Sequence, residues 1–229
     1  MKILAVVQAR MGSKRLPGKV MLNIENKPMI GHIYDRLKKV KYLYDIVLAT
    51  TKDKKNDILV SYSLNKSIKV YRHQEEDDLI GRLYEVVKLF KAEAVLKVNA
   101  DCPLIDPKII NEGVLKYLKS KKVIDILTNK TSSSFPLGYS YELINTKTIN
   151  WCQFHLKSKI DRELAVSWII KNKNIFPNQV EHKNKLGYGE YNLCVDTASD
   201  FEKVKNIYKR LYSNNNYFGL TEVMQLLKN

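Results

Sequence analysis

No stretch of this sequence approaches the roughly 18 consecutive apolar residues that a membrane-spanning helix needs. The apolar opening, Met-Lys-Ile-Leu-Ala-Val-Val, stops at Gln8-Ala9-Arg10. That is too short for the apolar segment of a secretory signal, and no cleavage site follows it. Cysteine is scarce: Cys102, Cys152 and Cys194 are odd in number, widely spaced and without a C-x-x-C, so they suggest neither a disulfide framework nor a zinc knuckle. These absences lead us to expect a soluble cytoplasmic protein with no membrane partner. No linker, repeat or low-complexity tract divides the 229 residues, so a single domain is expected over 1–229. Acidic residues are in deficit, 24 against 39 Lys and Arg, for a net charge of +15. Such an excess can serve nucleic acid. Here the lysines are spread over 38–41, 52–55, 119–122, 171–173 and 183–185, and a solvated surface explains them better. Nucleic acid is therefore not the expected partner.

Hydrophobic residues make up 45% of the chain, enough for a real core. In the first half, short β-rich runs alternate with helical patterns. Strands are expected at 3–7, 46–50, 68–71, 94–98 and 123–128, and helices at 29–40, 55–64, 77–90 and 107–118. The alternation predicts an α/β fold: a mostly parallel sheet with helices on both faces. Beyond 128 the pattern loosens. Strands are expected at 139–144 and 192–195, and helices at 146–156, 162–171, 198–211 and 220–227. On this reading 1–128 is the regular α/β part, 129–190 a small lobe inserted on it, and 191–229 a return strand with C-terminal helices. Ligands of such sheets bind at the carboxyl ends of the strands.

The stretch "VVQARMGSKRLPGKVM", from Val6 to Met21, leaves the first strand at that edge with four cations, Arg10, Lys14, Arg15 and Lys19, and two glycines, Gly12 and Gly18. It is no Walker A loop. Five residues rather than four separate the glycines, and Val20 stands where Ser or Thr would ligate magnesium. The dinucleotide pattern G-x-G-x-x-G is also missing. The physical principle survives: glycines let backbone N–H groups approach phosphate oxygens, while Arg and Lys neutralise them. Asp101, just past a buried strand in "AVLKVNADCPLIDP", is the carboxylate expected opposite that loop, and Asp196 in "YNLCVDT" is a second. Two carboxylates can clamp one hard cation such as Mg²⁺ beside a phosphate chain. No Asp-x-Asp occurs, which argues against a metal-dependent glycosyltransferase.

With "EDDLIGRL", "NADCPLIDP", "FPLGYSYEL" and "LCVDTASDFE" following in order, the sequence resembles cytidylyltransferases of the spore coat polysaccharide biosynthesis protein F type, within the wider acylneuraminate and 3-deoxy-manno-octulosonate group. The resemblance implies a CTP-dependent, homodimeric enzyme of surface polysaccharide biosynthesis, with a nucleotide-diphospho-sugar-transferase-like sheet and Mg²⁺ as cofactor. It implies that Arg10, Arg15 and Lys19 hold the triphosphate and that Asp101 and Asp196 hold the metal. Arg10, Arg15, Lys19 and Asp101 form the expected catalytic set. Ala9, Met11, Gly12, Ser13, Asn99 and the Arg72-His73-Gln74 segment complete the nucleotide site. The acceptor, a small anion, is expected at Ser140, Tyr141, Glu142, Arg162 and Glu163, with 139–157 as the dimer interface. The resemblance thus makes 1–128 the nucleotide-binding part and 129–190 the acceptor and dimerisation lobe, and two departures stand in that lobe: Arg162-Glu163-Leu164 where the family has Arg-Glu-His, and Ser140 where the family has Asp.

The other candidates read as packing. His32 opens an amphipathic helix; His155 and His182 lack partners at metal spacing; Trp151 and Trp168 lie in helical patterns. Cys102 has no paired His and is not expected to be a nucleophile. Three rival readings stay open here. They are a glycosyltransferase on a similar sheet, a basic polyanion-binding surface, and a chain that kept the fold and lost turnover.

Overall fold

Strand β1 (Ile3–Gln8) lies inside the sheet, hydrogen-bonded on one side to β4 (Leu43–Thr51) and on the other to β6 (Ala94–Asn99). The computed structural model describes residues 1–132, 134–185, 187–212 and 217–228. A short antiparallel pair, β2 (Asn23–Ile24) and β3 (Lys27–Pro28), stands apart from the main sheet. The main sheet also takes β5 (Lys69–His73), β7 (Ile126–Thr128), β8 (Glu142–Asn145) and β9 (Gln179–Glu181). Its seven strands run β5-β4-β1-β6-β8-β7-β9. Every neighbouring pair is parallel except those made by β8, which is antiparallel to both β6 and β7. The mostly parallel α/β sheet expected from the alternation is thus what forms.

Alternation along each strand divides the core in two. Ile3, Ala5 and Val7 face one layer, and Leu4 and Val6 the other, all fully buried. The first layer packs against α1 (Met29–Leu37), α2 (Asp57–Asn65), α4 (Pro107–Leu118), α8 (Ala198–Leu211) and α9 (Leu220–Lys228). The second packs against α3 (Leu79–Phe90), α5 (Thr146–His155) and α7 (Ala165–Lys171), with the short α6 (Lys159–Glu163) ahead of α7. Burying one Val, Leu or Ile side chain stabilises by about 2 kcal/mol, so a strand apolar on both sides belongs in the interior. Helix starts follow local chemistry. Asp78, Asp106 and Asn145 each accept a backbone N–H at the head of α3, α4 and α5, and Thr197 with Asp200 forms a capping box on α8.

Four expectations need correction. The helix expected over 162–171 is two helices, because Ser158 caps α6 early and Leu164, at φ −96° and ψ 25°, ends it. The strand expected over 192–195 does not form. Leu193 and Val195 are buried as expected, but their N–H groups bond to the loop carbonyls of Leu137 and Asp101. The strand expected over 139–144 begins only at Glu142 and runs to Asn145, and that expected over 123–128 begins at Ile126. Strand β9 was not anticipated, since three residues give too little periodicity to read.

Candidate functional site

After β1 the chain moves outward through β4 to β5, then returns across the sheet to β6, so the order reverses between β1 and β6. In open α/β sheets that reversal opens a crevice beyond the carboxyl ends of the two strands. The N–H of Ala100 bonds to the carbonyl of Gln8 at 3.1 Å, tying the two strand ends together. Beyond them lies a cleft of about 560 Å³, within the usual range for ligand pockets.

One wall is the Arg10–Lys19 loop. Gly18, at φ +70°, takes a left-handed conformation that only glycine adopts without strain, and its N–H closes the loop on the Met11 carbonyl at 3.0 Å. The turn sends Lys19 inward. Its buried Nζ donates to Val195 O at 2.6 Å and Asp196 Oδ1 at 3.0 Å, and stands 3.8 Å from Asp101 Oδ2. Arg15 Nη2 meets the same Asp196 oxygen at 2.9 Å from the exposed side. Arg10 pairs with Glu76 and lies 3.6 Å from Asp77. The cleft therefore brings together Ala9, Arg10, Ser13, Arg15, Lys19, Asn99, Asp101, Glu163 and Asp196 from the sequence-derived candidates. Asn99 is fixed from behind: its Oδ1 accepts from Lys97 Nζ at 2.9 Å, and Lys97 pairs with Glu142 at 3.1 Å inside the sheet.

Several candidates lie elsewhere. Met11 gives its N–H to Asn56 Oδ1 at 2.9 Å and, with Gly12, is not on the cleft wall. Arg72 and His73 end β5, the edge strand, with Gln74 just after it and β4 between that strand and β1. The Arg72 guanidinium is taken by Asp57 and the carbonyls of Thr51 and Asp53, and His73 stands 3.7 Å from Asp78. Of the acceptor set, only Glu163 reaches the cleft. Tyr141 is fully buried, with its hydroxyl 2.7 Å from His182 Nδ1. Glu142 is engaged by Lys97. Arg162 donates to Asp78, to Gln153 Oε1 and to the carbonyls of Gln153 and Leu156. Ser140 is half-buried and off the cleft wall, and Leu164 is exposed between α6 and α7.

Sequence reading missed Arg82, although "EDDLIGRL" contains it. Arg82 is buried on the cleft wall, and its Nε finds no hydrogen-bond partner among the described residues. Burial, then the neighbouring Arg10, lowers its pKa. Glu76 and Asp77 were missed too. The missed signal was the helical spacing, which sets Arg82 in the first turn of α3 behind those acids. A second surprise is Cys194: its Sγ is 3.7 Å from that of Cys102, although 92 positions separate them. The Cys194 thiol, burial and Asp101 together push the Cys102 thiol well above its usual value.

The cleft's charges nearly cancel. Arg10, Lys14, Arg15, Lys19 and Arg82 face Glu76, Asp77, Asp101, Glu163 and Asp196. A polyphosphate entering this cleft adds negative charge to a balanced wall, so it needs a further cation. Asp101 and Asp196 present hard oxygen donors on either side of Lys19, the donor set a divalent ion of the Mg²⁺ type takes. The residues present fit such an ion.

A cytidylyltransferase family model matches residues 4–218. The spore coat polysaccharide biosynthesis protein SpsF of Bacillus subtilis is 24% identical over 214 residues, covering 91% of this chain and 87% of that protein. A solved cytidylyltransferase structure from Leptospira borgpetersenii superimposes with a TM-score of 0.94 at 28% identity, covering 100% of this chain and 94% of that one. The structure of CMP:2-keto-3-deoxy-manno-octonic acid synthetase complexed with CTP shares the fold at a TM-score of 0.71 and 19% identity, over 92% of this chain and 99% of that one. No helix among the described residues is long and apolar enough to cross a membrane.

Proposed function

The chain belongs to the cytidylyltransferase family and is a nucleotidyltransferase enzyme, and we propose that it transfers CMP from CTP to a small anionic acceptor, a sugar acid or a phosphorylated small molecule, with release of pyrophosphate. The carrying observation is Lys19, buried at the strand-order reversal and held between Asp101 and Asp196. A synthetase of this fold that binds CTP, and a family member in polysaccharide biosynthesis, support the nucleotide and the pathway class.

In the proposed reaction an acceptor oxygen attacks the α-phosphorus in line, and the chain's work is positioning and charge stabilisation. Arg10 and Arg15 exchange carboxylate partners for phosphate oxygens. Lys19, held by the Val195 carbonyl, offsets charge on the departing pyrophosphate. Asp101 and Asp196 would hold a divalent cation, Mg²⁺ by its preference for oxygen donors, and that ion would supply Lewis-acid polarisation. Asn99, braced by Lys97, borders the nucleotide. Glu163 on α6 and Arg82 on α3 border the acceptor, with Arg82 as the counter-charge for an anion. An acceptor phosphate arrives ionised and needs no base; a sugar hydroxyl must lose a proton, and Glu163 is the lobe's carboxylate on the wall. Pairing of two copies through 139–157 is part of the same proposal.

The test is a thermal-shift panel of CTP, UTP, ATP and GTP, each with Mg²⁺, at fixed salt. A ligand at about 100 times its Kd adds roughly 2.7 kcal/mol. A shift selective for CTP and absent in Asp101→Asn is expected, together with turnover reduced about a thousandfold (about 4 kcal/mol) in that variant. Equal shifts with all four nucleotides, fading with salt, would reduce the loop to a polyanion grip.

A further inference from the structure

Among the described residues, Asp101, Cys102 and Cys194 each offer a ligand atom within 4.8 Å of the other two. The Sγ atoms are 3.7 Å apart, and Cys102 Sγ is 3.2 Å from Asp101 Oδ1. Both cysteines are free thiols, and the carboxylate beside them is a third donor that a disulfide, a bond of about 2.05 Å between the two sulfurs alone, would leave unused. A tetrahedral zinc ion with bonds of about 2.3 Å to sulfur and about 2.0 Å to oxygen sets two sulfurs about 3.8 Å apart and sulfur and oxygen about 3.5 Å apart. The sulfurs already stand at the spacing the ion sets, and the Asp101 oxygen, 3.2 Å from Cys102 Sγ, need shift by only a few tenths of an ångström to take its place.

We propose that Asp101, Cys102 and Cys194 bind a thiophilic divalent cation, Zn²⁺ foremost, and that this ion blocks the enzyme. The scaffold for it is fixed by the backbone. Cys102 follows Asp101 in the loop leaving β6. Cys194 precedes Val195, whose N–H bonds to the Asp101 carbonyl at 2.8 Å. Cys102 is buried while Cys194 is partly exposed, giving the ion an approach from the Cys194 side. On binding, each thiol releases its proton to solvent. Two thiolates and one carboxylate then exceed the ion's charge by one, and the Lys19 ammonium, 3.8 Å from Asp101 Oδ2, offsets the excess. Three protein ligands leave the fourth position for water, the arrangement of non-structural zinc sites. Mg²⁺ takes oxygen and leaves thiolates alone, whereas zinc accepts both. Bound zinc therefore engages the Asp101 carboxylate without suiting the oxygen-only site beside it. The blocking effect rests on the proposed role of Asp101 toward the nucleotide's cation; the binding does not.

The experiment uses the whole chain with its thiols kept reduced and no nucleotide. One equivalent of Co²⁺ should produce a thiolate-to-cobalt charge-transfer band that Zn²⁺ abolishes. Cys194→Ser should lose the band and weaken zinc, measured against a chromophoric chelator, by tenfold or more. Cys152→Ser, in the other core layer, should behave as the unaltered chain. No band in the unaltered chain, or the same zinc affinity in Cys194→Ser, overturns the site. In a second arm, zinc should inhibit Mg²⁺-supported turnover of the unaltered enzyme, and Cys194→Ser should resist it. Zinc binding at the cysteines without inhibition would overturn the blocking effect and the role of Asp101, while leaving the metal site itself in place.

Discussion

Two regions of this molecule carry similar polar residues and use them in opposite ways. At the ends of β1 and β6, Arg10, Arg15 and Asp101 project past the last ladder bonds into a cleft, where their partners are side chains that a ligand can replace. In the segment from Tyr141 to Arg162, the same kinds of group are spent on the scaffold. Glu142 faces Lys97 across β6 and β8, with both side chains more than nine-tenths buried. Arg162 uses its guanidinium on Asp78, Gln153 and two carbonyls. The lesson is positional. A charged residue past a strand's end can meet a ligand, whereas one inside an interior strand must be neutralised by the protein itself.

The comparison breaks most sharply at Glu142. Glu142→Gln strands the Lys97 charge in the sheet, at an expected loss of about 4 kcal/mol and a fall in melting temperature of about 10 °C. Lys97→Met with Glu142→Leu should recover most of it. An unchanged melting temperature in Glu142→Gln would return that carboxylate to the acceptor site. Arg15→Ala should do the reverse. Its side chain is 64% exposed, so stability should stay within about 0.5 kcal/mol, while kcat/KM should fall about 30-fold, or about 2 kcal/mol. Equal losses of stability and activity would erase the distinction between the two regions.

The smallest effect depends on pH. Burial pushes the Asp78 carboxyl up, but its bonds from Arg162 and the Gly81 N–H outweigh burial and hold it below the usual value. A carboxyl depressed in the folded state contributes stability above about pH 4 that is lost as pH falls through the folded value. Arg162→Ala should thus cost about 1.5 kcal/mol at neutral pH and progressively less below pH 4, read from melting temperatures across that range. A gap independent of pH would assign the effect to the carbonyls of Gln153 and Leu156 instead.

The legible parts of the site were those with a strong local signal. The buried run Ala94–Val98 ending at Asn99-Ala100-Asp101 announces a strand and its edge, and the cations of 10–19 follow another strand directly. What could not be read was set by strand order. The pattern of 139–145 does not say that β8 enters the sheet between β6 and β7, and that placement turns Tyr141 and Glu142 inward. Nor does the pattern of 68–73 reveal that β5 is the edge, which removes Arg72 and His73 from the cleft. Leu193 and Val195 carried the burial of a strand without its pairing, because their backbone partners are loops. The Cys102–Cys194 approach has no local trace at all.

Lys19 also sets an order in time. Its carbonyl and carboxylate partners, Val195 and Asp196, lie 176 and 177 positions further along the chain. During synthesis the basic loop leaves the ribosome early and its counter-charge emerges near the end. A chain stalled before Val195 carries the loop and the residues of all the sheet's strands, yet lacks the second carboxylate. Such a fragment is expected to hold polyanions through charge alone and to turn over nothing. Completing translation is thus what gives the basic loop its counter-charge.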